Sequence, residues 1–196
     1  MNATHLRAAD FTRRPWRNGG GFTTELAVHA EGGEWIWRLS LAEVAQSGPF
    51  SDFSGYERTI LLVEGAGMEL AIDGRAPVLL RDASPPFTFD GGAATACTLL
   101  DGPVRDLNLM VERRRARGTL AVIDGNAPGG HRLDARWNLV YALRGRTRVS
   151  AAHVDATLAP GEILRIDEAH GAELHLAGLD RSSRVALARI HPNDAP

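Results

Sequence analysis

Arg58 opens the run RTILLVE, in which Arg58, Ile60 and Leu62 alternate with Thr59, Leu61 and Val63. A strand with two mostly apolar faces is covered on both sides. An arginine at its mouth then needs a partner, because an unpaired buried charge is costly. A carboxylate held bidentately by the planar guanidinium would serve. So would an internal ion pair with Glu57, Asp52 or Asp106.

Other residue types nearby suit the same chemistry. Arg38 and Ser40 share one face of EWIWRLSLAEV, opposite Trp35, Trp37, Leu39 and Leu41; that face either lines a polar pocket or meets solvent. Asp106, Asn108 and Met110 share a face opposite Leu107, Leu109 and Val111. Asn108 can donate and accept at once, which suits an amide or formyl group, and Asp106 is suited to orienting an arginine. The alternative for this pair is a network that anchors a turn. Phe50 and Ser51 in GPFSDF, with Phe87 and Phe89 in PPFTFDG, supply apolar walls beside polar groups, or are simply core.

The stretch PWRNGGGFTTEL, Pro15 to Leu26, lacks the spacing of a phosphate loop, and a strand rather than a helix follows its glycines. It is too short and too aromatic for a linker. A backbone corner remains, in which glycine provides positive φ or close approach. Trp16 and Asn18 would then close one end of a barrel, with Gly19 and its neighbours letting the backbone pass near a ligand.

Composition removes several function classes. The 196 residues carry 22 basic and 24 acidic side chains and a net charge of −2, without a long run of either sign, so no nucleic-acid partner is expected. Every basic residue is arginine, which excludes lysine chemistry. The single cysteine, Cys97, lies in an apolar strand-like run and reads as buried and inert. No apolar segment has the length of a signal peptide core or a spanning helix, so no membrane partner is expected and the reading is cytoplasmic. The seven histidines form no H-x-H or H-E-x-x-H pair, and no G-x-S-x-G elbow is present.

The elements that must position these residues are short strands. Runs such as FTTELAVHA, RTILLVEG, MELAIDG, VRDLNLMVER, WNLVYALRG and SRVALARI recur between Gly, Asp and Pro turns, which indicates an all-β sandwich or barrel. ADFTRRPW and AEVAQ hold at most a short helical turn. RTILLVEGAGMELAIDG followed by PVLLRDASPPFTFDG matches, in order, WNLVYALRGRTRVS followed by ATLAPGEILRIDEAHG. Two copies of one unit imply two similar barrels.

That unit, with PGEILRIDEAH, resembles the cupin signature. Metal-binding cupins take ligands from two His flanking one residue, a following Glu and a distant His. Counting from Gly145 places His131 and Leu133 at the paired positions, Asn138 at the glutamate and His170 at the distant one. Counting from Gly65 places Ser51, Phe53 and Arg58. A cation at the carboxylate position argues for an anion rather than a metal. His131 and His170 are left as a degenerate alternative metal site.

The set W-R-N-G-G-G-x-T-x-E-L at 16 to 26, W-R-L-S-x-A-x-V at 37 to 44, G-P-F-S-x-F-x-G-x-x-R at 48 to 58, P-F-x-F-D-G at 86 to 91 and D-L-N-L-M at 106 to 110 resembles the HutD/Ves family in the family's own order. The resemblance implies a bicupin, two double-stranded β-helix (RmlC-like jelly-roll) barrels without the usual metal set. Expected domains are 1–111, holding the pocket, and 112–196, sharing a core as one compact unit. It also implies a non-catalytic regulator or buffer linked to histidine utilisation, binding N-formylglutamate or a related pathway carboxylate and needing no cofactor. Ves members are described as stress-induced. The expected ligand set is Trp16, Asn18, Gly19, Arg38, Ser40, Phe50, Ser51, Arg58, Phe89, Asp106, Asn108 and Met110. A cupin-type enzyme and an interaction module with a vestigial pocket are the alternatives, and a homodimer through edge strands is open.

Overall fold

The computed structural model describes residues 1–16 and 19–193. Two compact units form, one from Thr12–Ala116 and the other from Met1–Phe11 together with Arg117–Pro196. Strands are numbered along the chain. β1 (Asn2–Leu6) precedes a short 3-10 turn at Ala8–Asp10. The unit Thr12–Ala116 contains β2 (Thr12–Pro15), β3 (Gly21–Glu31), β4 (Glu34–Val44), β5 (Gly48–Pro49) and β6 (Tyr56–Glu64). β7 (Met68–Ile72), β8 (Val78–Leu80), β9 (Phe87–Asp90), β10 (Thr95–Leu99) and β11 (Val104–Glu112) complete it. The other unit continues with β12 (Ala116–Asp124), β13 (Gly130–Leu133), β14 (Trp137–Arg144) and β15 (Thr147–Ala151). It ends with β16 (Val154–Leu158), β17 (Ile163–Asp167), β18 (Ala172–Gly178) and β19 (Arg184–Pro192).

In the first unit a six-stranded sheet, β2-β3-β4-β11-β6-β9, is joined by a four-stranded one, β5-β10-β7-β8. In the second the orders are β12-β19-β14-β17-β1 and β13-β18-β15-β16. Adding eight to each label of β4-β11-β6-β9 gives β12-β19-β14-β17, and the same shift turns one four-stranded sheet into the other. The repeat legible in the sequence is therefore a repeat of topology. Among the described residues the ladders do not close into a ring, so each unit is a two-sheet jelly roll.

Alternation accounts for the packing. Ile60 and Leu62 of β6 meet Met68 and Leu70 of β7, Leu80 of β8 and Cys97 of β10 in the first core. Val140 and Ala142 of β14 meet Val149, Leu158, Leu174 and Leu187 in the second. As expected from two mostly apolar faces, Thr59 and Leu61 on the opposite side of β6 are also buried.

The domain limits differ from the sequence expectation at both ends. Residues 1–11 join the C-terminal unit because β1 pairs antiparallel with β17, Leu6 opposite Ile163, and the later limit falls between Ala116 and Arg117. The helical turn in ADFTRRPW is present at Ala8–Asp10, whereas AEVAQ continues β4 as far as Val44. β1, β2, β5 and β13 escape sequence reading because they are short and carry no apolar alternation. Among the described residues no helix is long and apolar enough to cross a membrane.

Candidate functional site

The register of the six-stranded sheet gathers the polar residues. Arg58 of β6 lies opposite Met110 of β11, which lies opposite Arg38 of β4. The next row on the same face runs Ile60, Asn108, Ser40 and Glu25, and the one beyond runs Leu62, Asp106 and Ala42. Ala42, Ile60 and Leu62 belong to the apolar core of this unit. One face of one sheet is thus core at one end and polar at the other. The polar end opens into a cavity of ≈ 760 Å³ lined by Arg58, Asn108, Met110, Arg38 and Ser40.

Arg58 is only 6% exposed. Its Nε donates to Asn108 Oδ1 at 2.7 Å, and Asn108 Nδ2 donates in turn to Asp106 Oδ1. Because a guanidinium only donates, this chain fixes which way the amide of Asn108 faces. The Arg58 fork lies 4.4 Å from the Phe50 ring centre and 5.5 Å from that of Phe89. Among the described residues its terminal NH2 groups have no protein acceptor. Burial pushes the guanidinium down to about 10, with Asp106 acting the other way and the like charge of Arg38 adding to the fall. Burial pushes the Asp106 carboxyl up to about 7, against Arg58 and the Asn108 hydrogen bond.

Arg38 is the second cationic wall. Its guanidinium stacks 3.9 Å from the Trp35 ring centre and 5.6 Å from Phe53, and one terminal nitrogen reaches Met110 Sδ at 3.4 Å. Its buried Nε has no hydrogen-bond partner among the described residues. Burial lowers its affinity for its proton, and Glu25 and Tyr56 offset part of this.

The corner after β2 closes one side. Trp16 Nε1 donates to Thr23 Oγ1 at 2.7 Å, and both residues line the cavity with Thr12 and Arg14. A Cβ on Gly21 would stand 2.1 Å from the Glu43 carbonyl oxygen and 3.2 Å from Trp16 Cε3, so this glycine serves close approach. Gly19 has φ +71 with open space around it, a turn glycine rather than a wall.

Of the residues expected from sequence, Trp16, Arg38, Ser40, Phe50, Ser51, Arg58, Asn108 and Met110 meet around this cavity. Phe89 and Asp106 stand behind Arg58, in contact with its ring stack and its hydrogen-bond chain rather than on the wall. Gly19 is not on the wall, and Asn18 lies outside the described residues. The solvent-facing alternative for Arg38 and Ser40 does not hold, since Ser40 is buried and Arg38 half-buried. Nor is Arg58 in an ion pair with Glu57 or Asp52; its link to Asp106 passes through Asn108. Sequence reasoning missed Thr12, Arg14, Thr23, Glu25, Trp35 and Phe53 as wall residues. Trp35, placed by alternation opposite Arg38, instead packs on it. Cys97 is buried beside Met68 Sδ at 3.6 Å, and burial pushes its thiol up to about 11.

Among the described residues the matching rows of the second unit are more apolar. Where Arg58 faces Met110, Ile60 faces Asn108 and Leu62 faces Asp106, the second unit pairs Asn138 with Arg189, Val140 with Leu187 and Ala142 with Val185. The last four residues fill its core. His131, half-buried in β13, pairs opposite Leu174, while His170 is exposed in a turn at φ 50. Among the described residues no group of three or more His, Cys, Asp or Glu could hold a metal ion. Among the described residues neither unit's donor set fits the divalent cation that the cupin pattern would hold, and in the first unit Arg58 stands where the carboxylate ligand would be.

Two jelly rolls of one topology in a single chain, with an arginine-walled cavity in the first, define a bicupin-like protein. An oxalate decarboxylase variant from Bacillus subtilis shares this fold at 8% identity, with a TM-score of 0.68 over 97% of this chain and 77% of that one. The chain belongs to the HutD family, whose model matches residues 8–184. It is 38% identical over 195 residues to an uncharacterized 21.2 kDa protein in the hutC 3' region of Pseudomonas putida, covering 94% of this chain and 95% of that one. Protein Ves from Cronobacter sakazakii is 34% identical over 66% of this chain and 70% of its own. The structure of HutD from Pseudomonas fluorescens SBW25 (formate condition) superposes with a TM-score of 0.85 at 32% identity, over 98% of this chain and 100% of that one.

Proposed function

We propose that the protein is a non-catalytic binder of a small carboxylate, acting as a regulator or buffer linked to histidine utilisation, with N-formylglutamate or a related pathway acid as its ligand. The observation that carries this reading is Arg58: buried, steered by Asn108, near the Phe50 and Phe89 rings, and presenting terminal NH2 groups that no described residue accepts from. A carboxylate docking edge-on would complete it. A cavity of ≈ 760 Å³ is in the range that small metabolites occupy. The non-catalytic part is supported by the absence of imidazole and thiol from its lining, and by Ser40 and Ser51 having no hydrogen-bonded base among the described residues. The link to histidine utilisation is supported by family membership and by the relative from the hutC 3' region.

The test is a thermal-shift titration of metal-stripped protein with formate, N-formylglutamate, glutamate, urocanate and histidine, alongside Arg58→Ala. A ligand at about 100 times its Kd adds roughly 2.7 kcal/mol, a rise of several degrees at this chain length. A rise with one acid, absent in Arg58→Ala, is the expected result. No rise with any acid, in folded protein, would remove the reading.

A further inference from the structure

We propose that Asp106 is a positioning residue that takes up a proton when an anion docks on Arg58, so that pH as well as ligand concentration sets occupancy of the cavity. The inference rests on the carboxylate-binding reading above and adds its regulation. The geometry is a rigid relay on two adjacent strands, from Arg58 to Asn108 to Asp106. Asp106 is fully buried, and its Oδ2 has no hydrogen-bond partner among the described residues. Its cross-strand neighbours, Ala42 of β4 and Leu62 of β6, are apolar.

The ionisable groups acting on this carboxyl are few. Arg58 faces it from β6, and the Cys97 thiol, held neutral by burial, lies toward it from β10. Arg38 of β4 and Glu25 of β3 act one step further out, through Arg58 and Arg38 respectively. With the cavity free, an ionised Asp106 is balanced by Arg58. A ligand carboxylate claims that same positive charge, and two anions then share one buried guanidinium. Protonation of Asp106 from solvent relieves the conflict without moving the relay, since Oδ1 still accepts from Asn108.

The sign follows by linkage. Bound ligand raises the affinity of Asp106 for a proton, so up to one proton enters on binding at pH values between the free and the ligand-bound midpoints of Asp106. Above the neutral range, where the free carboxyl is ionised, ligand affinity falls by up to about tenfold per pH unit. At lower pH, with Asp106 protonated in both states, affinity is flat.

The test is isothermal titration calorimetry of the full chain with sodium N-formylglutamate between pH 6 and pH 8.5, in Tris and in triethanolamine. The ligand's own carboxylates do not titrate there. The expected result is an affinity that declines toward tenfold per unit above pH 7, and a binding heat that differs between the buffers as uptake of a proton requires. Asp106→Asn keeps an acceptor for Asn108 and should bind with a pH-flat affinity and equal heats in both buffers. Should that variant fail to fold, carbon-13 NMR of the Asp106 carboxyl in wild type gives the same answer: its midpoint should rise when ligand is added. Binding that is pH-flat and buffer-independent in wild type would overturn the inference alone. No heat at any pH, with N-formylglutamate or with formate, glutamate, urocanate and histidine in its place, would overturn the carboxylate reading and the inference with it.

Discussion

At the scale of single residues, Arg58 and Asp106 separate charge from geometry. Arg58→Lys keeps a positive charge but loses both the planar fork and its contacts with the Phe50 and Phe89 rings. We expect it to retain some anion affinity where Arg58→Ala retains none, as read by titration calorimetry. Asp106 makes a prediction about stability without ligand. Its carboxyl is raised to about 7 in the fold, against about 4 in an unfolded chain, so the folded state binds the extra proton between these values. Stability contributed by that proton is full at about pH 4 and lost as pH rises to 7, with a slope approaching 1.4 kcal/mol per unit at most, as an order-of-magnitude figure. Asp106→Asn should therefore gain on wild type across that window in urea denaturation, and equal slopes would refute this. Arg58 was legible because period two places it on a face that is otherwise apolar, and Asn108 and Ser40 because the same period groups them with Asp106 and with Arg38 opposite an apolar face. Trp35 and Glu25 were not, because the ladder between β3 and β4 shifts register between Glu25 and Ala27 and again between His29 and Ala30. Strict alternation assigns the wrong side beyond such a bulge.

Elements carry a different kind of constraint. The three glycines after Trp16 look alike in sequence, and their roles diverge once β3 is laid against β4. Gly21→Ala would drive a methyl into the Glu43 carbonyl and against Trp16, so β3 must lift from β4 at the cavity wall. We expect a loss of roughly 1–3 kcal/mol in denaturant midpoint analysis, together with weaker ligand binding. Gly19→Ala meets open space and bears only its backbone strain at φ +71, about 1 kcal/mol. Should the two variants prove equally stable, close approach is not the role of Gly21. Strand existence was read well wherever hydrophobic runs alternate, as in β6, β11 and β14. The short edge pieces β5 and β13 depend on partners distant in sequence, Cys97 for Gly48 and Leu174 for His131, which no local pattern encodes.

For the whole molecule, two copies of one topology were foreseeable from the repeated run of strands and glycine turns, while the crossing of the N-terminal segment into the C-terminal unit was not. β1 has three exposed residues out of five, so nothing in its polarity marks it as a partner for β17. Side-chain contacts hold it there: His5 Nε2 lies 2.9 Å from Glu162 Oε2, and Arg7 Nε 3.4 Å from Glu162 Oε1. Removal of residues 1–11 should lower the thermal midpoint by several degrees and speed hydrogen exchange at the amides of Ile163–Asp167, as measured by mass spectrometry. Unchanged exchange there would show that β1 is dispensable to its sheet.

The pairing of β1 with β17 also has a temporal side. His5 and Glu162 are separated by 157 positions, so the leading segment leaves the ribosome long before its docking edge has been made. In that interval β9 is also made, the repeat counterpart of β17 and, among the described residues, the last strand in the order of the six-stranded sheet. An edge of matching topology is thus synthesised before the true partner, the circumstance in which side-chain complementarity between β1 and β17 guards against mispairing.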